Sequence, residues 1–415
     1  MEKHKKRIII IGAGFGGVYT ARKLAKKLKQ TEVEIILIGR VNYFLFTPLL
    51  PEVATGSLSP LSVAEPIREI FRHLSVRFIQ SEVKSINLAK KQIKLKTAVL
   101  SYDILIVSSG AKTNWHNVIG ADKYTLPLKS LADAAAIRNR IIDAFEQAAN
   151  EPSQKVRREL LSFVVVGGGA TGVELVAELS EFIHGTMCQY YAGTFCLAKE
   201  VRISLISGQQ ALLSQFEAVF QRQARQILKQ KNINIFEGRK VVSISKEAIS
   251  LDDGKTIASQ TVIWVAGVSP QYPTIYPSGK FDVAKGLPVD KFLRLIDWPE
   301  VFILGDVAVA STNGKIVPMM AQVAVQQSEI IALNVINFIN DNRLITFSYR
   351  PKGSLLSLGQ WQAIGRIYGI PIGGQLAWWL WRTVYLFKFI SPKKKFKVAF
   401  EWTINLFYPR DITKI

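Results

Sequence analysis

Short, almost wholly apolar runs alternate along this chain with longer stretches in which apolar residues recur every three or four positions. The first run, residues 7–11, leads into Gly12-Ala13-Gly14-Phe15-Gly16-Gly17 and then a stretch of helical composition over 15–28. A buried strand follows at 33–38, short strands at 76–79, 83–88 and 92–95, and an apolar strand at 102–107 that ends in Ser108-Ser109-Gly110-Ala111. The order then repeats. A run at 163–166 meets Gly167-Gly168-Gly169-Ala170-Thr171-Gly172, and a helix is predicted over 171–183. Strands are predicted at 201–206, 233–236, 241–244, 248–251 and 261–265, the last ending in Ala266-Gly267-Val268. The pattern is an internal repeat of whole domains, each a parallel sheet with helices and an antiparallel excursion.

A third block starts with a strand at 301–304, continues through Gly305-Asp306, and enters a helix near Met320 that carries Gln322, Gln326 and Ile330. From Phe347 the composition changes. Residues 367–381 are uncharged but too short for a comfortable membrane span. Over 396–407, Lys397, Glu401 and Asn405 form a narrow polar stripe, and Phe396, Phe400, Thr403, Ile404 and Phe407 a wide apolar face. Trp378, Trp379, Trp381, Tyr385, Trp402 and Tyr408 are rings of the kind found at headgroup depth, so this tail is expected to rest on a membrane.

Composition sharpens that expectation. The 415 residues carry 53 Lys and Arg against 32 Asp and Glu, a net charge of +21, which calls for an anionic partner. Lys393, Lys394, Lys395 and Lys397 sit inside the aromatic tail, which favours an anionic lipid surface; no motif supports nucleic acid. Cys188 and Cys196 form no C-x-x-C pair, and His4, His73, His116 and His184 have no ligand spacing, so neither a redox dithiol nor a metal site is expected. No signal-peptide core is read at the N-terminus, so the catalytic body is expected in the cytoplasm.

One G-x-G-x-x-G is a weak signal; two, each between strand and helix, imply two dinucleotides. Gly12 and Gly167 allow the tight turn, Gly14 and Gly169 let backbone approach a pyrophosphate, and Gly17 and Gly172 let helix pack on strand. The helix ends then face the diphosphate. Asp306, at a strand's carboxyl end, suits the hydroxyls of a ribityl chain, although Gly-Asp after a strand is often only a turn. Neither second strand ends in the usual acid: 33–38 runs into Gly39-Arg40, and 201–206 into Ser207-Gly208-Gln209, which admits NADPH as well as NADH.

With these motifs, and with Phe46-Thr47-Pro48-Leu49-Leu50, Glu52-Val53-Ala54-Thr55-Gly56, Val173-Glu174 and Ala321-Gln322-Val323-Ala324-Val325-Gln326-Gln327, the chain resembles the type II NADH:quinone oxidoreductases over nearly its whole length. The resemblance implies an α/β fold with two Rossmann-type dinucleotide-binding domains of the glutathione-reductase-like kind, plus C-terminal amphipathic anchoring helices. It implies an FAD domain at 1–115 and 271–345, an NAD(P)H domain at 116–270, and a membrane-anchoring region at 346–415. FAD would lie on Gly12, Gly14, Phe15, Gly16, Gly17, Arg40, Pro48, Gly110, Asp306, Ala321 and Gln322. NADH would lie on Gly167, Gly169, Thr171, Gly172, Glu174, Ser207 and Gly267, with Glu174 near the nicotinamide and Gln322 and Gln326 lining a quinone tunnel. Pro51 departs from the family's usual tyrosine. The implied reaction is hydride transfer from NAD(P)H to FAD, then two electrons to a membrane quinone, at the cytoplasmic face, without proton pumping and in a homodimer. Rival readings are a reductase of a biosynthetic naphthoquinone, a sulfide:quinone oxidoreductase, and a nucleotide-sensing flavoprotein with little turnover.

Overall fold

The computed structural model describes residues 5–193, 200–277 and 286–414, which fold as two compact units. The first comprises Met1–Leu45, Ala64–Lys112 and Val268–Arg350; the second comprises Phe46–Val63, Thr113–Gly267 and Pro351–Ile415. Two segments depart from the expected domain limits. Residues 46–63 join the second unit because the short helix Leu50–Ala54 packs on helices Leu131–Ala149 and Ala170–Glu181, and the tail from 351 clusters there too.

In the first unit the sheet runs Arg294–Leu295, Trp298–Ile303, Ile104–Val107, Lys6–Ile11, Val33–Gly39, Arg77–Gln80, parallel except for the first edge strand. Consecutive isoleucines are what such a sheet requires, because both faces are covered. Ile9 and Ile11 share a core with Ile86 and Ile93 of the antiparallel excursion, while Ile8 and Ile10, on the opposite face by alternation, are also fully buried. Helices Phe15–Lys27 and Ala321–Ile339 pack on each other.

The second unit repeats the plan with an all-parallel sheet, Leu126–Pro127, Thr261–Trp264, Ser162–Val166, Arg202–Ser207, Ile233–Glu237. Helix Leu131–Ala149 starts at a capping box, with Ser130 accepting from Asp133 N and the Asp133 carboxylate accepting from Ser130 N. The tail adds a three-stranded antiparallel sheet over Gly353–Ser357, Ala363–Ile367 and Ile370–Gly373, then helices Gly374–Lys388 and Pro392–Ile404. The start of the uncharged 367–381 stretch is therefore strand and the rest helix.

The tail also corrects the aromatic assignment. Trp378, Trp381 and Trp402 are buried at 2–3 % exposure, not available at headgroup depth. Arg382 lies over the Trp378 ring at 3.7 Å and the Trp402 ring at 5.1 Å, which gives these indoles an internal partner. Trp379 and Tyr408 remain exposed, as do Phe387, Phe396, Phe400 and Phe407. Among the described residues no helix is long and apolar enough to cross a membrane.

Candidate functional site

Strand register builds the first site. Ile11 pairs with Val107 and Val107 with Ile303, so three carboxyl ends lie side by side and release Gly12, Ser108-Ser109-Gly110 and Leu304-Gly305-Asp306 at one sheet edge. Gly12 adopts φ +105°, and a Cβ there would stand 2.2 Å from Ser108 O. A Cβ on Gly17 would meet Gly12 O at 1.8 Å, so the helix can start this close only with glycine. Gly14, by contrast, faces open space, with no protein atom within 4 Å of its Cβ position. The helix behind it has no side-chain cap and no acid in its first turn, leaving its N–H groups for an anion. Gly16 packs on Leu304, and Phe15 sets its ring edge-on to Phe44 at 5.0 Å.

Around this cradle, Gly110 (φ +76°) accepts from Gln271 N at 2.9 Å, and Arg40 reaches Gln271 Oε1 at 3.2 Å. Asp306 sits in the 3₁₀ turn Gly305–Val307, whose first N–H donates to Gln327 Oε1 at 2.7 Å. Gln327 is fully buried, and its position in the helix fixes the Asp306 turn; sequence reading placed it in the motif without assigning it this task. Ala321 opens the same helix, which carries no side-chain cap. Gln322 accepts from Tyr349 OH at 2.8 Å. Gln326 turns both ends of its amide to the Arg350 backbone, donating to O at 2.9 Å and accepting from N at 3.1 Å, so it holds the later segment at Arg350 against the start of this helix. Pro48 belongs to the second unit, in the 3₁₀ turn Thr47–Leu49. Pro51 falls in the first turn of the Leu50–Ala54 helix, where a missing N–H costs nothing.

The second site follows the same geometry. Val166 pairs with both Ile206 and Trp264, which aligns Gly167, Ser207 and Val265-Ala266-Gly267. Gly167 has φ +129°, a Cβ on Gly172 would stand 1.8 Å from Gly167 O, and Gly169 faces open space. Thr171 is exposed on the first turn of an uncapped helix without acids there. Gly267 (φ +146°) lies against His116, whose Nε2 is 3.1 Å from Ala266 O. In both cradles the residues present fit a dinucleotide: two glycines that no side chain could replace, a third facing the open space, and free helix N–H groups.

Glu174, on the second cradle's helix, accepts from Ser357 N at 3.3 Å. Its carboxyl is held well above the ordinary range, by burial first and then by the charges of Glu52 and Glu178. Those two are a cluster that sequence reading missed, since its members come from positions 52, 178, 402 and 410. Glu52 accepts from Trp402 Nε1 at 2.5 Å. Arg410 pairs with Glu178 at 2.8 Å and Glu181 at 3.4 Å and donates to Thr55 Oγ1 at 3.0 Å. Burial, and secondarily the Glu178 charge, push Glu52 up to about 8.

A pH dependence follows. Between the unfolded value of 4.5 and about 8 the folded chain holds a proton on Glu52 that the unfolded chain releases. Stability from this group is thus complete below pH 4.5 and is lost as pH rises through 8, at up to ~1.4 kcal/mol per pH unit. Glu52→Gln, which preserves an acceptor for Trp402, is expected to flatten the decline in urea midpoint between pH 5 and pH 8. Equal slopes for the two proteins would contradict a protonated Glu52.

Cys188 is half-buried, its thiol pushed up by burial, and lies 3.9 Å from His184 Nδ1; Cys196 lies outside the described residues. Among the described residues no group of His, Cys, Asp and Glu has metal-binding geometry.

Comparison with known proteins agrees with this construction. The family model for pyridine nucleotide-disulphide oxidoreductase matches residues 6–328, and that for the NDH2 C-terminal domain matches 352–411. The chain is 30% identical to a probable NADH dehydrogenase of Dictyostelium discoideum, over 98% of this chain and 91% of that protein. It is also 30% identical to a type II NADH:quinone oxidoreductase of Mycobacterium tuberculosis, over 98% of this chain and 89% of the relative. The structure of NDH2 from Plasmodium falciparum in complex with NADH superposes with a TM-score of 0.91 at 25% identity, covering 99% of this chain and all of that one. A sulfide:quinone oxidoreductase from Aquifex aeolicus shares the fold at a TM-score of 0.73 and 18% identity, covering 98% of this chain and 92% of that one. These matches place this chain in the type II NADH:quinone oxidoreductase family, within the pyridine nucleotide-disulphide oxidoreductases.

Proposed function

We infer that this chain is an FAD-dependent NADH:quinone oxidoreductase that does not pump protons and attaches to a membrane through its last two helices. The observation that carries the reading is the same anion cradle at the carboxyl ends of two separate parallel sheets, in a chain whose relatives are NADH:quinone oxidoreductases. FAD, when bound, supplies the two-electron store between hydride donor and quinone.

The chain's own residues supply binding, orientation and charge. Backbone N–H groups at Gly14 to Gly17 would hold the diphosphate of FAD, and those at Gly169 to Gly172 that of NADH. Asp306, in the turn fixed by Gln327, would orient the ribityl hydroxyls. The uncapped N-terminal end of helix Ala321–Ile339 would favour negative charge on a ring bound beside it. Gln322, anchored by Tyr349, would line the path of the acceptor, and Glu174, whose carboxyl burial holds above the ordinary range, would stand near the nicotinamide.

Support for membrane attachment comes from the orientation of the last helix. Its polar edge is spent inside the second unit: Glu401 accepts from Ser59 N at 3.0 Å and Ser62 Oγ at 2.7 Å, and Asn405 donates to Ser57 O at 2.5 Å. The apolar face is left outward, with Phe396, Phe400 and Phe407 65–77 % exposed and Lys393 and Lys397 beside them. A lipid interface is the solvent that suits such a surface. Steady-state assay tests the whole reading: purified flavoprotein should form one quinol per NADH consumed, and in sealed vesicles it should do so without building a pH gradient. Consumption of NADH without quinol formation would refute it.

A further inference from the structure

We propose that the second dinucleotide site contains a subsite for a phosphate on the adenosine 2′ position, with Lys240 as its cation, so that NADPH serves as a donor alongside NADH. This rests on reading the Gly167–Gly172 cradle as the nicotinamide nucleotide site. In such sites a carboxylate at the end of the second strand accepts hydrogen bonds from the adenosine ribose and repels a 2′-phosphate. Here that strand is Arg202–Ser207, and its end is occupied by Ser207, Gly208 and Gln209.

The position is fixed relative to the cradle. A Cβ on Gly168 would stand 2.4 Å from Ser207 Oγ, and Leu213 N donates to Gly168 O at 2.8 Å, so the strand end and its loop lie directly against the phosphate turn. Ser207 is 1 % exposed, and its hydroxyl is engaged in its own turn, accepting from Gln209 N at 3.2 Å. No acid takes its place.

A cation arrives instead from the neighbouring strand, Ile233–Glu237, whose last residue pairs with Ser207. The turn after it, Gly238-Arg239-Lys240, is clamped to the adenosine-side loop by two backbone bonds, Gly238 N to Gln209 O at 2.8 Å and Arg239 N to Ser207 O at 3.0 Å. Lys240 Cγ is the atom within 4 Å of a Cβ built on Gly208, at 3.6 Å. The lysine is exposed and makes no ion pair among the described residues. The acids Glu237 and Asp253 are already matched, and Asp252, whose N donates to Lys240 O at 2.9 Å, carries an exposed side chain. Glu237 is bound by both Arg225 nitrogens at 2.8 Å and by Leu212 N at 2.7 Å, and Arg239 pairs with Asp253 at 3.3 Å, which Lys255 also approaches at 3.7 Å. Lys240 is the cation beside the adenosine-side loop, and a phosphate dianion next to its ammonium gains where a ribose hydroxyl does not.

Lys240 was invisible to a reading along the chain, which looks for an arginine just after the second strand; this cation lies 33 residues beyond Ser207 in sequence and comes from the next strand. Calorimetric titration of the flavin-loaded full chain with adenosine 2′,5′-bisphosphate and with 5′-AMP tests the subsite without turnover. Wild type should bind the bisphosphate more tightly, and the preference should shrink with added salt. Lys240→Ala should reduce the affinity ratio of bisphosphate to AMP by about tenfold. Gly208→Asp, whose new Cβ meets only ordinary contact, should lower the ratio by a similar factor or more, and the NADPH to NADH ratio of kcat/KM should fall in parallel. Tighter binding of AMP by wild type, or an unchanged ratio in both variants, overturns the subsite. If neither nucleotide binds, the dinucleotide assignment of the cradle falls with it, whereas AMP binding alone leaves that assignment standing and removes only the phosphate subsite.

Discussion

Gly14→Ala is expected to give a folded but colourless protein, and Gly169→Ala a yellow one that no longer binds NADH. The two positions are chosen because a methyl group there meets no protein atom within 4 Å, so neither fold should change. What the methyl would meet is the diphosphate, which must approach bare backbone at both turns. Loss of that approach should weaken each nucleotide by about a hundredfold or more, equivalent to ~2.7 kcal/mol. Gly17→Ala and Gly172→Ala form the contrasting pair. Each new Cβ would stand 1.8 Å from a backbone carbonyl of the same turn, an overpacking that costs about 1–3 kcal/mol or more and lowers stability as well as binding. Thermal melts with flavin absorbance separate the pairs. A yellow Gly14→Ala protein, or a Gly169→Ala protein with unchanged NADH affinity, would remove the assignment of that cradle.

Replacing Phe396, Phe400 and Phe407 together by serine is expected to release the protein from anionic vesicles with no loss of turnover on a water-soluble quinone. Full burial of one such side chain contributes about 1.5–3 kcal/mol. At roughly half-burial in the interface, three of them supply about 3 kcal/mol, or a factor of about a hundred in partitioning. None of the three is needed for packing, because their rings point outward while Trp402, Glu401 and Asn405 tie the helix to the unit. Cosedimentation of wild type and triple variant with vesicles measures the difference. Equal sedimentation would show that lipid is held elsewhere.

Much of the core was legible along the chain because buried parallel strands write themselves as unbroken apolar runs. Residues 92–95, 241–244 and 248–251 coincide with observed strands, and both cradle helices begin within a residue of expectation. Glycine signals were equally direct, since close approach and positive φ leave only that residue type. The tail was half legible. Its periodicity revealed two faces, but which tryptophans turn inward depends on partners hundreds of positions away, such as Glu52 for Trp402. The meeting of Glu52, Glu178 and Arg410 went unread for the same reason: Glu52 was visible only as part of a motif, and no local pattern shows which distant side chains it is buried with. Helix Leu131–Ala149 was missed although Ser130 and Asp133 stand at capping-box spacing and Ile137, Ile141 and Phe145 recur at helical intervals.

Anaerobic stopped-flow absorbance tests the central claim most directly. Mixing the yellow protein with NADH should bleach the flavin band, and a second mixing with a short-chain quinone should restore it. Bleaching that no quinone reverses, or a flavin that NADH leaves oxidised, would contradict an electron path from one dinucleotide through the other to a quinone.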